Sequence, residues 1–228
     1  MKVYIRDEIA VRIARLAADL LESMVDHNLI VNLGVGFPSM VSDYLDSPRV
    51  FFHVENGMLG VGPTPAPEDE DIDLIDAGLQ PVSETPGCAY FDSADSFAII
   101  RGGHMDVTVI GAFEVDSAGR IANWSIPGGD KLGVGGAMDL ISGAKTVVVA
   151  MSHRTRDGGS KLVKKCSLPL TGNRPADYVV TEFGVFRFAD GKFTLISTGD
   201  DVDIEKLQKI TDVDFEVSEE LKRLQLNV

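Results

Sequence analysis

The stretch FFHVENGMLG, residues 51–60, sets one carboxylate, Glu55, directly after an apolar run. Val50, Phe51, Phe52 and Val54 have the make-up of a buried strand, and Asn56-Gly57 is a sharp turn that ends it. A chain that carries an acid out of its core and stops it on a turn has two readings. Glu55 is either a solvated residue at a strand end or a carboxylate held where a substrate can reach it. His53 stands two residues earlier and, on a strand, shares a face with Glu55. An imidazole beside a carboxylate suits proton transfer, although a satisfied structural histidine is the commoner case.

The segments on either side alternate between strand and helix. LIVNL (29–33) is a short buried strand, followed by GVGFPSMVSDYL, a glycine turn that leads into a helix. Ile9, Ile13, Leu16, Leu20 and Met24 recur at helical spacing and predict an amphipathic helix over 8–24. VGPTPAPEDED (61–71) reads as a solvated, proline-rich acidic loop. Asp92 or Ser93 can cap a helix that runs to Arg101, which Gly102-Gly103 ends just before His104.

A strand is expected at 107–112, and FEVDSAGRIANW holds two extended segments around a Ser-Ala-Gly turn. TVVVAM (146–151) and YVVTEF (178–183) are continuous apolar strands, as in a parallel sheet covered on both faces. FRFADGKFTLI predicts a hairpin turning at Asp190-Gly191, and the tail segments DIEKLQKI and SEELKRLQL read as helical. This alternation predicts an α/β domain, layered around a largely parallel central sheet. With no linker, repeat or low-complexity tract, one domain over residues 1–228 is the economical reading.

The composition narrows the function classes. Hydrophobic content of 44% and charged content of 25% are those of an ordinary globular protein. No apolar run is long enough to span a bilayer, and the N-terminus lacks a signal-peptide core, so a cytoplasmic location without membrane attachment is expected. A net charge of −14 argues against nucleic acid as a partner and means that an anionic ligand needs a locally positive site. Cys88 and Cys166 are far apart and read as free thiols, while His27, His53, His104 and His153 show no metal-ligand spacing. No metal site is expected.

Open α/β sheets bind ligands at the carboxyl ends of their strands. Glycine turns follow predicted strands at Gly34-Val35-Gly36 and at Asn56-Gly57, and GGDKLGVGGAMDL (128–140) is a third. Tight turns use the same residues, so the first two are weak signals alone. The third leaves backbone N–H groups unobstructed before a helix-like segment, where they can bind an anion or a developing oxyanion. Its plainer reading is a surface loop. Lys161, Lys164 and Lys165 form a small basic cluster that suits phosphates, although most such clusters are solvated surface.

At HVENGMLGVGP the chain resembles the B (beta) subunit of the family I CoA-transferases, the group of 3-oxoacid, acetate–acetoacetate and butyrate–acetoacetate CoA-transferases. Their signature glutamate lies in a (Q/H)-S-E-N-G turn, here His53-Val54-Glu55-Asn56-Gly57. The likeness continues in family order through VNLGVGFPSMVSDYL, DSADSFAIIRGGHMDVTVIGAFEV, ANWSIPG, GVGGAMDLISGAK, KKCSLPLTG and TEFGVFRF. It implies the NagB/RpiA/CoA-transferase-like fold, with Glu55 as a nucleophile that passes through an acyl anhydride and a glutamyl-CoA thioester. It also implies Gly136 as a backbone oxyanion donor, and Asn56, Gly57, Gly34, Gly36, Gly135 and Lys131 as substrate or CoA contacts.

The implied chemistry needs CoA as a substrate and no cofactor or metal. It also needs an A (alpha) subunit, in a hetero-tetramer, to bring a second oxyanion donor from a glutamine; no GGFG-type motif of that half occurs in this chain. Two positions depart from the family pattern. Val54 replaces serine, which is expected to change packing only, and IPGGDKLGVGG moves a lysine within a loop of unchanged length. An acyl-CoA hydrolase using the same glutamate is the alternative within enzymes. A sugar-phosphate sensor on the same fold is the alternative outside them, but it calls for a DNA-binding helix-turn-helix that this acidic chain does not offer.

Overall fold

The computed structural model describes residues 6–128 and 133–226. Helix α1 (Arg6–Ser23) leads into β1 (Leu29–Leu33), β2 (Val50–Val54), β3 (Met58–Val61) and β4 (Glu84–Tyr90). Then come α2 (Ser93–Arg101), β5 (Val107–Ile110), β6 (Glu114–Asp116), β7 (Ile121–Ala122), α3 (Ala137–Gly143) and β8 (Thr146–Ala150). The chain closes with β9 (Leu162–Val163), β10 (Tyr178–Thr181), β11 (Gly184–Ala189), β12 (Lys192–Gly199), α4 (Ile204–Lys209) and β13 (Phe215–Leu224).

Among the described residues ten strands form one sheet, in the order β13-β12-β11-β10-β8-β5-β1-β2-β3-β4, and β7-β6-β9 form a small second one. The middle of the large sheet, from β10 to β2, is parallel throughout. Antiparallel strands extend it on both sides, and β13 then lies parallel to β12.

The apolar runs are continuous because both faces of this sheet are covered. Along β8, Val147 and Val149 enter one core with Ile100 of α2 and Ile141 of α3. Val148 and Ala150 enter the other, with Ile13, Leu16 and Leu20 of α1. The expected amphipathic face of α1 is therefore the face that packs.

Local signals act where sequence places them. The Asp92 carboxylate accepts from the Asp95 N–H at 2.9 Å to cap α2, and Gly103 leaves that helix in the left-handed region at φ 74°. Asp190 and Gly191, at φ 52° and 77°, make the turn between β11 and β12 that matches the twist of a hairpin.

The helix expected after the Gly34–Gly36 turn is a 3₁₀ helix, Phe37–Asp43, with Pro38 in its first turn. One expectation needs correction. SEELKRLQL is not helical: it lies in β13, at the edge of the sheet. Leu195 of β12 faces Val217 but Ser197 faces Lys222, so two residues of β12 span five of β13. That bulge breaks the two-residue alternation and leaves Phe215, Ser218, Leu221 and Leu224 as the less exposed positions. An every-third pattern in residues of high helix propensity imitates a helix. The strand β4, rich in small and turn residues, has no counterpart among the expected elements.

The turn that carries Glu55 is held by close backbone packing. The Gly57 N–H donates to Val54 O at 3.0 Å and Gly57 O accepts from Phe91 N at 3.0 Å. Gly57 has φ 126°, and a Cβ there would overlap the Phe91 carbonyl oxygen. Gly172 has room, the nearest atom to its Cβ being Ile141 Cγ2 at 3.5 Å. Gly57→Ala is expected to destabilise the fold by about 2–4 kcal/mol and Gly172→Ala by under ~1 kcal/mol. Urea unfolding of the two variants beside wild type checks this.

Candidate active site

The parallel register sets three polar side chains in one row. Asn32 of β1 stands opposite His53 of β2 on one side and Thr108 of β5 on the other. All three are buried and share one face, while Val31 and Leu33 fill the α1 core on the other. Buried polar groups are tolerated only when satisfied, and here they satisfy one another.

Thr108 Oγ1 donates to Asn32 Oδ1 at 3.2 Å, which turns the Asn32 amide nitrogen towards β2. That nitrogen contacts His53 Nδ1 at 3.2 Å and the His53 carbonyl oxygen at 3.4 Å. It also donates to Glu55 Oε2 at 3.1 Å. With Nδ1 accepting, the imidazole proton sits on Nε2, which is 3.0 Å from Ser96 Oγ of α2. Phe91 stacks on the ring, with centroids 5.8 Å apart.

Burial pushes the His53 imidazole down to about 4, so it is neutral at physiological pH. His53 and Glu55 do share a face, but the imidazole reaches the carboxylate only through Asn32. It is a positioning group, not a paired base.

Glu55 is partly exposed where β2 ends, and the glycine loop before α3 approaches it from above the sheet. Gly136 has no side chain to spare: a Cβ would stand 2.8 Å from the Phe97 ring and 3.8 Å from Glu55 Cγ. Among the described residues its N–H has no acceptor, whereas the next amide, that of Ala137, donates to Val134 O at 3.2 Å. Gly135 reaches φ 53°, which bends the loop over the strand ends.

A cleft of about 930 Å³ runs along these ends. Glu55, Gly34, Gly36, Gly135, Gly136 and Lys161 all line it, together with Phe37, Asp76, Asn123 and Met151. Asn56 and Gly57 do not. Asn56 Nδ2 donates to Ile75 O at 2.8 Å and ties the turn to the following loop, so both residues shape the turn from outside the cleft. Lys131 lies outside the described residues.

The remaining candidates separate cleanly. Lys164 and Lys165 are exposed and do not line the cleft, so only Lys161 of that cluster does. His104 and His27 are exposed. His153 is buried between Thr181 Oγ1 at 3.2 Å and Thr211 Oγ1 at 2.8 Å, and burial pushes it down to about 3. Cys88 and Cys166 are free thiols. Val54 points into the α1 core, as a packing change requires.

Among the described residues no group of three His, Cys, Asp or Glu side chains could hold a metal, and no helix is long and apolar enough to cross a membrane. Asn32 was missed in the sequence. Its signal was there: one amide in the middle of LIVNL, a strand that is otherwise apolar.

The family model described as Coenzyme A transferase matches residues 16–207. The chain belongs to the coenzyme A transferase family. It is 48% identical over 190 residues to the B subunit of the probable succinyl-CoA:3-ketoacid coenzyme A transferase of Bacillus subtilis, covering 83% of this chain and 88% of that one. It is 43% identical over 208 residues to the beta subunit of the acetate CoA-transferase of Escherichia coli, covering 91% and 94%. The B subunit of the 3-oxoadipate CoA-transferase of Pseudomonas putida is 45% identical over 205 residues, covering 87% and 92%.

Among solved structures, the glutaconate CoA-transferase of Acidaminococcus fermentans superposes with a TM-score of 0.68 at 17% identity, over 95% of this chain and 90% of that one. An acyl-CoA transferase from Escherichia coli O157:H7 gives 0.71 at 19% identity; the match takes in 99% of this chain but 45% of that longer one. These two likenesses carry the fold. They agree with the layered α/β domain and largely parallel sheet expected from the sequence.

Because His53 binds its proton more weakly when folded than its ordinary 6.5, the unfolded chain takes up that proton first as pH falls. Its contribution is complete above pH 6.5 and is lost as pH falls towards 4, with a slope of up to about 1.4 kcal/mol per pH unit. His53→Asn is expected to flatten the pH dependence of unfolding free energy by up to that amount between pH 6.5 and 4. Urea titrations of both proteins across that window measure the difference.

Proposed function

We propose that this chain is the B subunit of an acyl-CoA:carboxylate CoA-transferase, with Glu55 as its nucleophile. The observation that carries the reading is the placement of Glu55: one carboxylate oxygen is held by Asn32, and Gly136 stands over the side chain with an N–H unclaimed among the described residues. Family membership supplies the reaction class.

The steps follow from the chemistry of a carboxylate. The Glu55 oxygen not held by Asn32 attacks the thioester carbonyl of an acyl-CoA; the C–S bond breaks, and an acyl–glutamyl anhydride and a CoA thiolate form. The thiolate attacks the glutamyl carbonyl, releasing the first acid as its carboxylate and leaving a glutamyl-CoA thioester. A second acid runs both steps backwards and leaves as the new acyl-CoA. The thioester bond energy is conserved throughout, so the scheme calls for neither ATP nor a metal, and CoA enters only as substrate.

Each attack on a carbonyl creates an oxyanion, for which we propose the Gly136 N–H as donor; such a donor is worth about 3 kcal/mol in other enzymes. Gly34, Gly36 and Gly135 let the substrate approach bare backbone, and Lys131 is proposed as a CoA contact from the same loop. The acids are short-chain or 3-oxo acids, and the enzyme works in the cytoplasm.

The relatives are named as B or beta subunits, which supports a partner. We place an A (alpha) subunit on the other side of the cleft, in a hetero-tetramer, supplying the second oxyanion donor and positive charge for CoA. The lone chain is expected to show no transfer between acyl-CoA donors and carboxylate acceptors, and addition of the partner is expected to restore it. Full activity from the lone chain would refute the two-subunit site.

Glu55→Ala is expected to lower transfer by at least about four orders of magnitude while the melting profile stays unchanged. Borohydride reduces a glutamyl thioester, so the wild-type complex treated with acyl-CoA is expected to lose activity and to carry the modification at residue 55. Near-normal turnover by the alanine variant would sink the assignment. Acyl transfer to added acetate or acetoacetate, rather than release of free acid alone, separates the transferase from a hydrolase.

A further inference from the structure

Of the charged residues that line the cleft, Asp7, Glu55 and Asp76 are acids, and Lys161 is the single Lys or Arg among the described residues. An overall charge of −14 makes this lone cation more conspicuous still. Its backbone is fixed on both sides: the Lys161 N–H donates to His153 O at 2.9 Å, and its carbonyl accepts from Val115 N at 2.9 Å. Its ammonium is poorly served. The nearest acceptor is Ser152 Oγ at 3.5 Å, and among the described residues no carboxylate lies within ion-pair distance.

Burial pushes the ammonium down to about 8, against the opposing pull of the Glu182 carboxylate. Glu182 is itself buried and accepts from the His153 N–H at 2.8 Å. Ala150 and Met151, both apolar and buried, line the same cleft as Lys161. A desolvated cation with one long hydrogen bond gains more from an anion than a solvated surface lysine does.

Its position relative to Glu55 selects the anion. Glu55 ends β2, and Lys161 stands beside the segment that follows β8, three strands along the sheet. Neighbouring strands are about 4.8 Å apart, so the two backbones are separated by roughly 14 Å, and side chains reaching in from both ends shorten the gap. In the proposed reaction the acyl carbonyl sits on Glu55, so the rest of the acyl chain extends away from it along the cleft.

We propose that Lys161 is a specificity residue that binds a second carboxylate at the far end of the acyl group, making dicarboxylic acyl chains the preferred cargo. This rests on the CoA-transferase reading above.

The test uses the assembled two-subunit enzyme and compares succinyl-CoA with butyryl-CoA, four-carbon donors that differ in the terminal carboxylate. The ratio of their kcat/KM values cancels any loss of folded protein and any contact made to CoA itself. Wild type is expected to favour succinyl-CoA, and Lys161→Met to lower that ratio by about 10- to 100-fold, the loss typical of one charged hydrogen bond. Lys161→Arg is expected to retain most of the preference.

A wild-type enzyme indifferent to the second carboxylate overturns the proposal. So does a ratio unmoved in Lys161→Met, including an equal fall on both donors, which would mark a phosphate contact or a purely structural lysine. Borohydride labelling at residue 55 with each donor reports separately on the underlying reaction. If neither donor labels wild type, the transferase reading fails and Lys161 loses its role with it.

Discussion

The site depends on one amide. Asn32 is the member of a buried parallel sheet that hands a hydrogen bond out to Glu55, and the rest of the local structure keeps that amide correctly turned. Thr108 on one neighbouring strand occupies its oxygen, and His53 on the other accepts from its nitrogen. Ser96 of α2 meets the far side of the imidazole. Each member is satisfied, which is the condition under which a buried polar network rigidifies a structure instead of weakening it. A carboxylate on a turn would otherwise sample several rotamers. Here its orientation is set by strands whose register is fixed on both faces by apolar packing.

The same network explains why His53, two residues from Glu55, does not pair with it directly. A protonated His53 beside Glu55 would form an ion pair and blunt the carboxylate as a nucleophile. Desolvation removes that option by keeping the ring neutral, and Asn32 separates the two groups. In the proposed reaction the developing charge falls to backbone: an amide costs little to desolvate beside a full charge, and its direction is fixed before a substrate arrives. This suits a chain whose net charge is −14 and whose described cleft residues include a single cation.

Legibility followed the range of the interaction. Asp92, Gly103, Asp190 and Gly191 act within one turn of chain, and their helix ends and hairpin stand where the residues place them. The apolar strands VFFHV and TVVVAM were legible because burial on both faces leaves a continuous run. The turn at Glu55 was legible for the same local reasons, and the chemistry proposed there rests on the family's motifs. What failed was set at a distance. SEELKRLQL became an edge strand because β12 needed a partner, and its bulge destroyed the alternation that would have marked it. Asn32, Thr108 and Ser96 lie on three separate elements, so nothing short of the sheet order brings them together. Lys161 looked like one of three surface lysines, and only the fold separates it from Lys164 and Lys165.

Sheet order also sets where Glu55 stands among the strand ends. The strand that carries Glu55 is the last parallel one, since β3 turns back from it through the Asn56-Gly57 hairpin. A nucleophile at that position has the ends of β1, β5 and β8 on one side of it and a loop-covered antiparallel edge on the other. In the proposed reaction the chemistry takes place at Glu55, and Lys161 meets the acyl group three strands away. On that proposal recognition and reaction are separated by a few strand spacings, so a side chain at Lys161 can change without disturbing the hydrogen bonds that hold Glu55. Relatives at more than 40% identity whose names cite acetate, succinyl and 3-oxoadipate substrates are what such a division permits.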